Sequence, residues 1–300
     1  MIIDAHIHMY PPEVYQDPLA WARRADEPYW AELVADRPER PSIQGWASVE
    51  RLLSDMDRAG VDRVVMQGMY WQHLETCIAQ NDWYIRWCRQ HPDRLIGFGV
   101  VQPKAGGRAL DEVRRIADAG LRGLGEMLPY AQGYSMRDPD FLRVVELLID
   151  MDMPLCLHVS EPVGRVYPGK SPMPLGDYTW LAAEYPQLKL ILAHWGGLLP
   201  FYELMKGMDL KNVYYDTAAT PLLYRSEVYR AVVDVVGPHK ILYGSDYPLL
   251  IYPRRDKEPG FIRLLDEIRG SGLSPAELES VLGGNAARLL EQPSNGQERR

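Results

Sequence analysis

The sequence predicts an α/β protein folded as a single (β/α)8 TIM barrel, on three observations. Eight short apolar runs recur along the chain, and stretches of helical patterning lie between them. The length, 300 residues, is close to one such barrel, about 250 residues before insertions. The rival α/β architecture, an open doubly wound sheet, would carry a GxGxxG turn after its first strand, and none is present.

The strand candidates, in order, are MIIDAHIH (1–8), VDRVVMQG (61–68), RLIGFGVVQP (94–103), GLRGLGEM (120–127), MPLCLHVS (153–160), LKLILAHWGG (188–197), NVYYDTAA (212–219) and HKILYGSDYP (239–248). Between them, 48–60, 107–120, 141–152 and 224–237 repeat apolar residues every three or four positions, which predicts helices with one buried face. Gly60 and Gly120 stand where a helix C-terminus needs glycine, and Ser274-Pro275 reads as an N-cap with proline in the first turn. Alternating strands and helices imply parallel strands joined by right-handed crossovers.

Residues 9–46 do not fit the bare repeat. This stretch is rich in Pro, Trp and Tyr and separates the first strand from its helix. It is expected at the C-terminal mouth of the barrel, as a lid, a packing insert or an oligomer contact. One domain is expected over 1–290, followed by a polar, disordered tail at 291–300.

The formal net charge is −8, which disfavours a nucleic-acid partner. Three cysteines without a CxxC pair argue against a thiolate zinc site and fit a reducing compartment. The N-terminus lacks the pattern of a signal peptide, and no apolar run is long enough to span a bilayer. A cytoplasmic enzyme with a small-molecule substrate, without a membrane anchor, is the expectation. A homo-oligomer is left open.

His6-Ile7-His8 is the first chemical signal. Residues two apart on a strand face the same way, so both imidazoles are expected to project into the barrel mouth. His158, His194 and Asp246 close the fifth, sixth and eighth runs, which places them on the same rim. Chance or core packing explains one HxH; it explains less well four histidines and an aspartate at one end of a barrel. Nitrogen and oxygen donors of this kind suit a divalent metal, zinc first, with manganese, iron or cobalt as equivalents. Asp4 is a candidate to orient a ligand histidine through its N–H, or a buried structural acid. His91 and His239 read as structural, and His73 as a surface residue.

The motifs MIIDAHIHMY, LCLHVSE, ILAHWGG, ILYGSDYP and GGNAARLL together resemble the amidohydrolase superfamily. The resemblance is to its branch of metal-dependent TIM-barrel hydrolases that also holds the aminocarboxymuconate-semialdehyde and γ-resorcylate decarboxylases, and it runs across nearly the whole chain. It implies His6, His8, His158 and Asp246 as metal ligands. It implies His194 as the histidine that acts on water, or as a ligand of a second metal, and Asp246 also as the proton-transferring acid. Glu126, at the end of GLGEM, matches a position where relatives carry a bridging ligand; it is either a ligand for one or two ions or an acid behind them.

Arg165, Tyr167 and Lys170 follow His158 in SEPVGRVYPGKSP and are candidates to bind a carboxylated substrate. Tyr70, Trp71, Trp195 and Tyr247 follow other strand ends and are candidates for apolar pocket walls. The activity expected first is hydrolysis of an amide, lactone or ester by a metal-activated water. The alternative is non-oxidative decarboxylation of an aromatic or enoic acid, which the same donor set serves.

Overall fold

Residues 1–38 and 41–290 are described by the computed structural model. The expected tail at 291–300 lies outside the described residues. Eight parallel strands form one sheet in sequence order: β1 Ile3–Ile7, β2 Arg63–Met66, β3 Leu95–Gly99, β4 Gly123–Met127, β5 Leu155–Leu157, β6 Leu190–Leu192, β7 Val213–Asp216 and β8 Ile241–Leu242. The sheet closes through backbone bonds between β1 and the segment continuing β8. Ala5 N–H donates to Tyr243 O at 2.7 Å, and Asp246 N–H donates to His6 O at 2.9 Å. Beyond these, Ile7 bridges Tyr247 in parallel. The (β/α)8 barrel expected from the sequence is the fold observed.

Strand alternation sorts the apolar residues into two sets. Val65, Phe98, Cys156, Ile191 and Leu242 belong to one compact cluster, while their neighbours Val64, Leu155, Leu157, Leu190 and Leu192 pack with the surrounding helices. The first set is the barrel lumen. The last helix, Asn285–Leu290, adds Ala286 and Leu289 to it. Asn285 fixes that helix to β8, because its side-chain amide donates to the carbonyls of Pro238 and Ile241 at 2.7 and 2.6 Å.

The helices begin and end for the reasons their sequences suggest. Val49–Ala59 is capped by Ser48, whose side chain accepts from Arg51 N–H, and it ends at Gly60 with φ +71°. Ser274 forms a reciprocal capping box with Glu277 ahead of Pro275–Glu279. Among the described residues, no helix is long and apolar enough to cross a membrane.

Several strands are shorter than their apolar runs. The run 188–197 yields only Leu190–Leu192, because the chain turns away at His194–Gly197, where φ lies between +55° and +60°. Among the described residues of 9–46 are three short helices, Pro12–Tyr15, Pro18–Arg24 and Pro28–Val34, each with proline in its first turn. Their aromatics pack on the core, Tyr15, Trp21 and Tyr29 partly buried against it. Trp30 is buried and lies 4.9 Å from Tyr10 and 5.3 Å from Trp71, centroid to centroid. The end of this segment is tied to the loop after β8, with Leu250 N–H donating to Ile43 O at 2.8 Å.

Replacing Asn285 with Ala removes a hydrogen bond from one buried and one partly buried carbonyl at the foot of β8. The expected loss in unfolding free energy is about 2 kcal/mol, read from denaturant titration. An unchanged midpoint would show that this helix does not brace the barrel.

Candidate active site

Parallel barrel strands deliver their C-terminal ends to one rim, so polar residues at those ends share one space. His6 closes β1 with His8 just beyond, Glu126 lies in β4, and Asp216 ends β7. His158 and His194 lie just past β5 and β6, and Asp246 lies in the segment after β8. All seven side chains are buried.

The bonds behind the imidazoles decide what the rings present in front. His6 Nδ1 lies 2.8 Å from Asp216 Oδ2, His8 Nδ1 lies 3.1 Å from Gln67 O, and His194 Nδ1 lies 3.1 Å from Ala218 O. A carbonyl oxygen only accepts, so His8 and His194 donate from Nδ1. The Asp216 carboxylate imposes the same tautomer on His6. In each neutral ring Nε2 is then a lone pair. The Nε2 atoms of His6 and His8 face each other at 3.1 Å. Two lone pairs at that distance repel, so the arrangement calls for a cation in front of them, a proton or a metal.

Glu126 spans the cluster. Its Oε2 lies 3.8 Å from His6 Nε2 and 3.6 Å from His8 Nε2. Its Oε1 lies 2.9 Å from His158 Nδ1 and 3.5 Å from His194 Nε2. Asp246 Oδ1 approaches His8 Nε2 at 3.5 Å. The donor atoms of His6, His8 and Glu126 lie within 4.8 Å of one another, as do those of Glu126, His158 and His194. Convergent imidazole nitrogens and carboxylate oxygens fit a divalent cation of intermediate softness.

The titration of these groups reports the same demand. Burial pulls the His6 imidazole down, but the charges of Asp216 and Glu126 outweigh it and hold it well above the ordinary histidine range. For His194, burial again lowers the value, and the Glu126 carboxylate lifts it to about 9. Burial pushes Glu126 up, yet the nearby His158 and His6 carry it well below the usual carboxylate range. Asp216 is likewise raised by burial and lowered further by His6. Protons thus stand where a cation would.

The backbone is shaped to bring these groups in. His194 and Asp246 both adopt left-handed φ, +55° and +67°, a conformation that costs about 1–2 kcal/mol per residue for most side chains and is concentrated at functional sites. Asp216 secures the first turn, since its Oδ1 accepts the His194 and Ala218 N–H groups, both at 3.0 Å.

Above the cluster lies a cavity of about 310 Å³, within the range of small-molecule sites. His8, Glu126, His158, His194 and Asp246 form its floor. Leu33, Ile43, Met69, Leu222, Leu223 and Leu249 supply apolar wall. Among the described residues, Arg165 is the one Lys or Arg that lines it, and its guanidinium has no hydrogen-bond or ion-pair partner there.

Tyr70 and Tyr167 line the cavity too. The Tyr70 ring lies 5.6 Å from that of His158, and Tyr167 O–H donates to Glu161 Oε2 at 2.8 Å. Lys170, Trp71, Trp195 and Tyr247 do not line it. Lys170 turns its ammonium onto Glu161 and two carbonyls. Trp71 joins the aromatic core and donates its indole N–H to Gln80 Oε1 at 2.6 Å. Trp195 is fully buried and donates to Thr220 Oγ1 at 2.9 Å. Tyr247 stacks on Phe261 and donates to Asp55. His73, His91 and His239 lie away from the cavity.

Asp4 does not hold an imidazole. Its Oδ1 accepts the backbone N–H groups of His6 and Ser245, at 3.0 and 3.1 Å, so it braces β1 against the segment after β8. The orienting carboxylate is Asp216, which the sequence reading passes over. Its signal is an acid inside the apolar run NVYYDTAA, at the same strand-end position as the other site residues.

The lumen, the single rim and the histidine–carboxylate cluster define a metal-type TIM-barrel enzyme. The amidohydrolase family model matches residues 3–292, and the chain belongs to that family. It is 23% identical over 282 residues, 79% of this chain and 75% of the relative, to the 2-amino-3-carboxymuconate-6-semialdehyde decarboxylase of Dictyostelium discoideum. The solved 5-carboxyvanillate decarboxylase of Sphingomonas paucimobilis matches with a TM-score of 0.73 at 23% identity, over 96% of this chain and 98% of that one. A dihydroxybenzoic acid decarboxylase from Polaromonas, with bound manganese and 2-nitroresorcinol, matches with a TM-score of 0.66 at 18% identity, over 96% of each chain. At these identities the structural likeness establishes the fold.

Two outcomes follow from the hydrogen bonds behind the rings. Asp216→Asn weakens divalent-metal affinity roughly 10–100-fold, measured by competition with a chromophoric chelator; unchanged affinity would remove Asp216 from the centre. Because Asp216 and Glu126 favour the protonated form of His6 when no metal is bound, and His6 would bind a metal as the neutral ring, metal loading releases protons and apparent affinity rises with pH. Loading that releases no protons would contradict this.

Proposed function

We propose that the chain is a metal-dependent, non-oxidative decarboxylase of an aromatic or enoic acid. The observation that carries this reading is a cavity of mostly apolar wall with one unpaired guanidinium, Arg165, above a floor of histidines and carboxylates. A planar acid suits that space: its hydrocarbon part lies against leucine and methionine, and its negative charge faces Arg165. The names of the relatives, decarboxylases of aromatic and enoic acids, support the same reading over hydrolysis.

His6, His8, His158 and Asp246 would hold the metal, with Glu126 completing the set. Zinc is our first expectation for its identity, with manganese a close equivalent. When bound, the cation supplies a positive charge that draws electron density from the substrate's oxygens. Arg165 binds and orients the anion from the loop side of the cavity. The leucine and methionine walls exclude water, which leaves the carboxylate poorly solvated relative to a charge-dispersed transition state. As the bond to the carboxyl carbon breaks, carbon dioxide leaves and the electron pair stays on the substrate carbon. That carbon then takes a proton. His194 faces the cavity and lies outside the proposed ligand set, so it is the proposed donor, reprotonated from solvent between turnovers. Asp246 is the second acid–base group of the floor.

Metal-loaded protein given hydroxylated aromatic acids should release carbon dioxide. In heavy water, deuterium should appear at the carbon that lost the carboxyl group. Opening of a lactone, ester or amide without gas release would transfer the function to hydrolysis. His6→Ala and Asp246→Asn should each abolish turnover with an unchanged circular dichroism spectrum; near-wild-type activity in either would sink the site. Arg165→Ala should raise KM about tenfold for the acid, the size of one charge-assisted contact, with kcat little changed.

A further inference from the structure

Among the described residues, the Arg165 side chain has no hydrogen-bond or ion-pair partner, so its place over the cavity depends on the backbone that carries it. That backbone is residues 161–170, the loop leaving the barrel after His158. The loop is closed at its neck, where Ser160 Oγ accepts Ser171 N–H at 2.9 Å and lies 3.3 Å from His158 Nε2. Inside it, Lys170 Nζ donates to Glu161 Oε1 at 3.0 Å, to Val163 O at 2.6 Å and to Arg165 O at 3.2 Å. An ammonium has three donors, and all three are spent within the loop. Glu161 takes the Tyr167 hydroxyl on its other oxygen at 2.8 Å. The Lys170 and Glu161 side chains are only 14% and 11% exposed.

One backbone bond adds to these, from Lys170 N–H to Tyr167 O at 3.1 Å. Gly164 and Gly169, on either side of Arg165, sit at φ +88° and +90° and turn the chain where other residues would be strained. The loop's valines are barely buried: Val163 is 68% and Val166 88% exposed. Ordering a loop with little aliphatic burial costs conformational entropy that some other interaction must offset. Here the charge-assisted bonds at Lys170 do so, and one of them ends on the carbonyl of Arg165 itself.

We propose that Lys170, together with Glu161, is the positioning residue for Arg165 and so sets the cavity's preference for an anion. The proposal rests on Arg165 being the group that grips the substrate's carboxylate. Lys170 does not touch substrate; it acts through the loop.

The test is calorimetric titration of the metal-loaded full chain with benzoate and with its neutral counterpart, benzamide, neither of which requires turnover. Wild-type protein should prefer benzoate. Lys170→Met and Glu161→Gln should each weaken benzoate binding about tenfold, the scale of one charge-assisted contact, and leave benzamide binding unchanged. Removing a cation and removing an anion would shift a long-range field in opposite directions, so matching losses point to positioning. Arg165→Ala should show the same loss, and the Lys170→Met/Arg165→Ala double variant should lose no more. Multiplying losses in the double variant, opposite effects of Lys170→Met and Glu161→Gln, or equal weakening of both ligands would each overturn the proposal. If no acid is decarboxylated but this pattern holds, the reaction reading fails and the role of Lys170 stands.

Discussion

The site depends on the hydrogen bonds behind its imidazoles. Asp216, the carbonyl of Gln67 and the carbonyl of Ala218 each take an Nδ1–H, from His6, His8 and His194. This turns three Nε2 lone pairs forward onto Glu126 and one another. Without the acceptors, either ring nitrogen could carry the proton and the donor set would be undefined. With them, the cluster demands positive charge, which is why His6 and His194 hold protons so firmly when no metal fills the place.

The fold supplies these acceptors at little additional cost. Gln67 and Ala218 are backbone carbonyls just past β2 and β7, and Asp216 ends β7, between the strands that lead to His194 and Asp246. Parallel strands put all of them on one rim. Left-handed turns at His194 and Asp246 then swing each side chain off its strand path toward the centre. The aromatic insert and the 161–170 loop close the space above into a cavity.

Much of this was legible in the sequence where periodicity governs. The eight strands, their order and the rim positions of His6, His8, Glu126, His158, His194 and Asp246 follow from alternating patterns and run ends. Beyond the strand ends the sequence carries no such signal for side-chain direction. Trp71, Trp195 and Lys170 stand at the right height in the chain, but once the backbone leaves the sheet, alternation no longer sets direction. Trp195, at φ +60°, packs inward among the helices, and Lys170 folds back on its own loop. Asp216 was hidden for the opposite reason: a single acid in an apolar run reads as a strand residue until its partner, His6, is seen across the barrel. Hydrolysis and decarboxylation share one donor set, so the choice rests on the cavity wall, which comes from loops far apart in the chain.

Elemental analysis of protein purified without chelator, with His158→Ala as the control, tests the metal centre most directly. About one divalent ion per chain, lost in the control, is the expected result for a decarboxylase with this donor set. About two ions per chain would make Glu126 a bridge between metals and favour hydrolysis. No ion under any loading condition would contradict the reading of the rim as a metal centre.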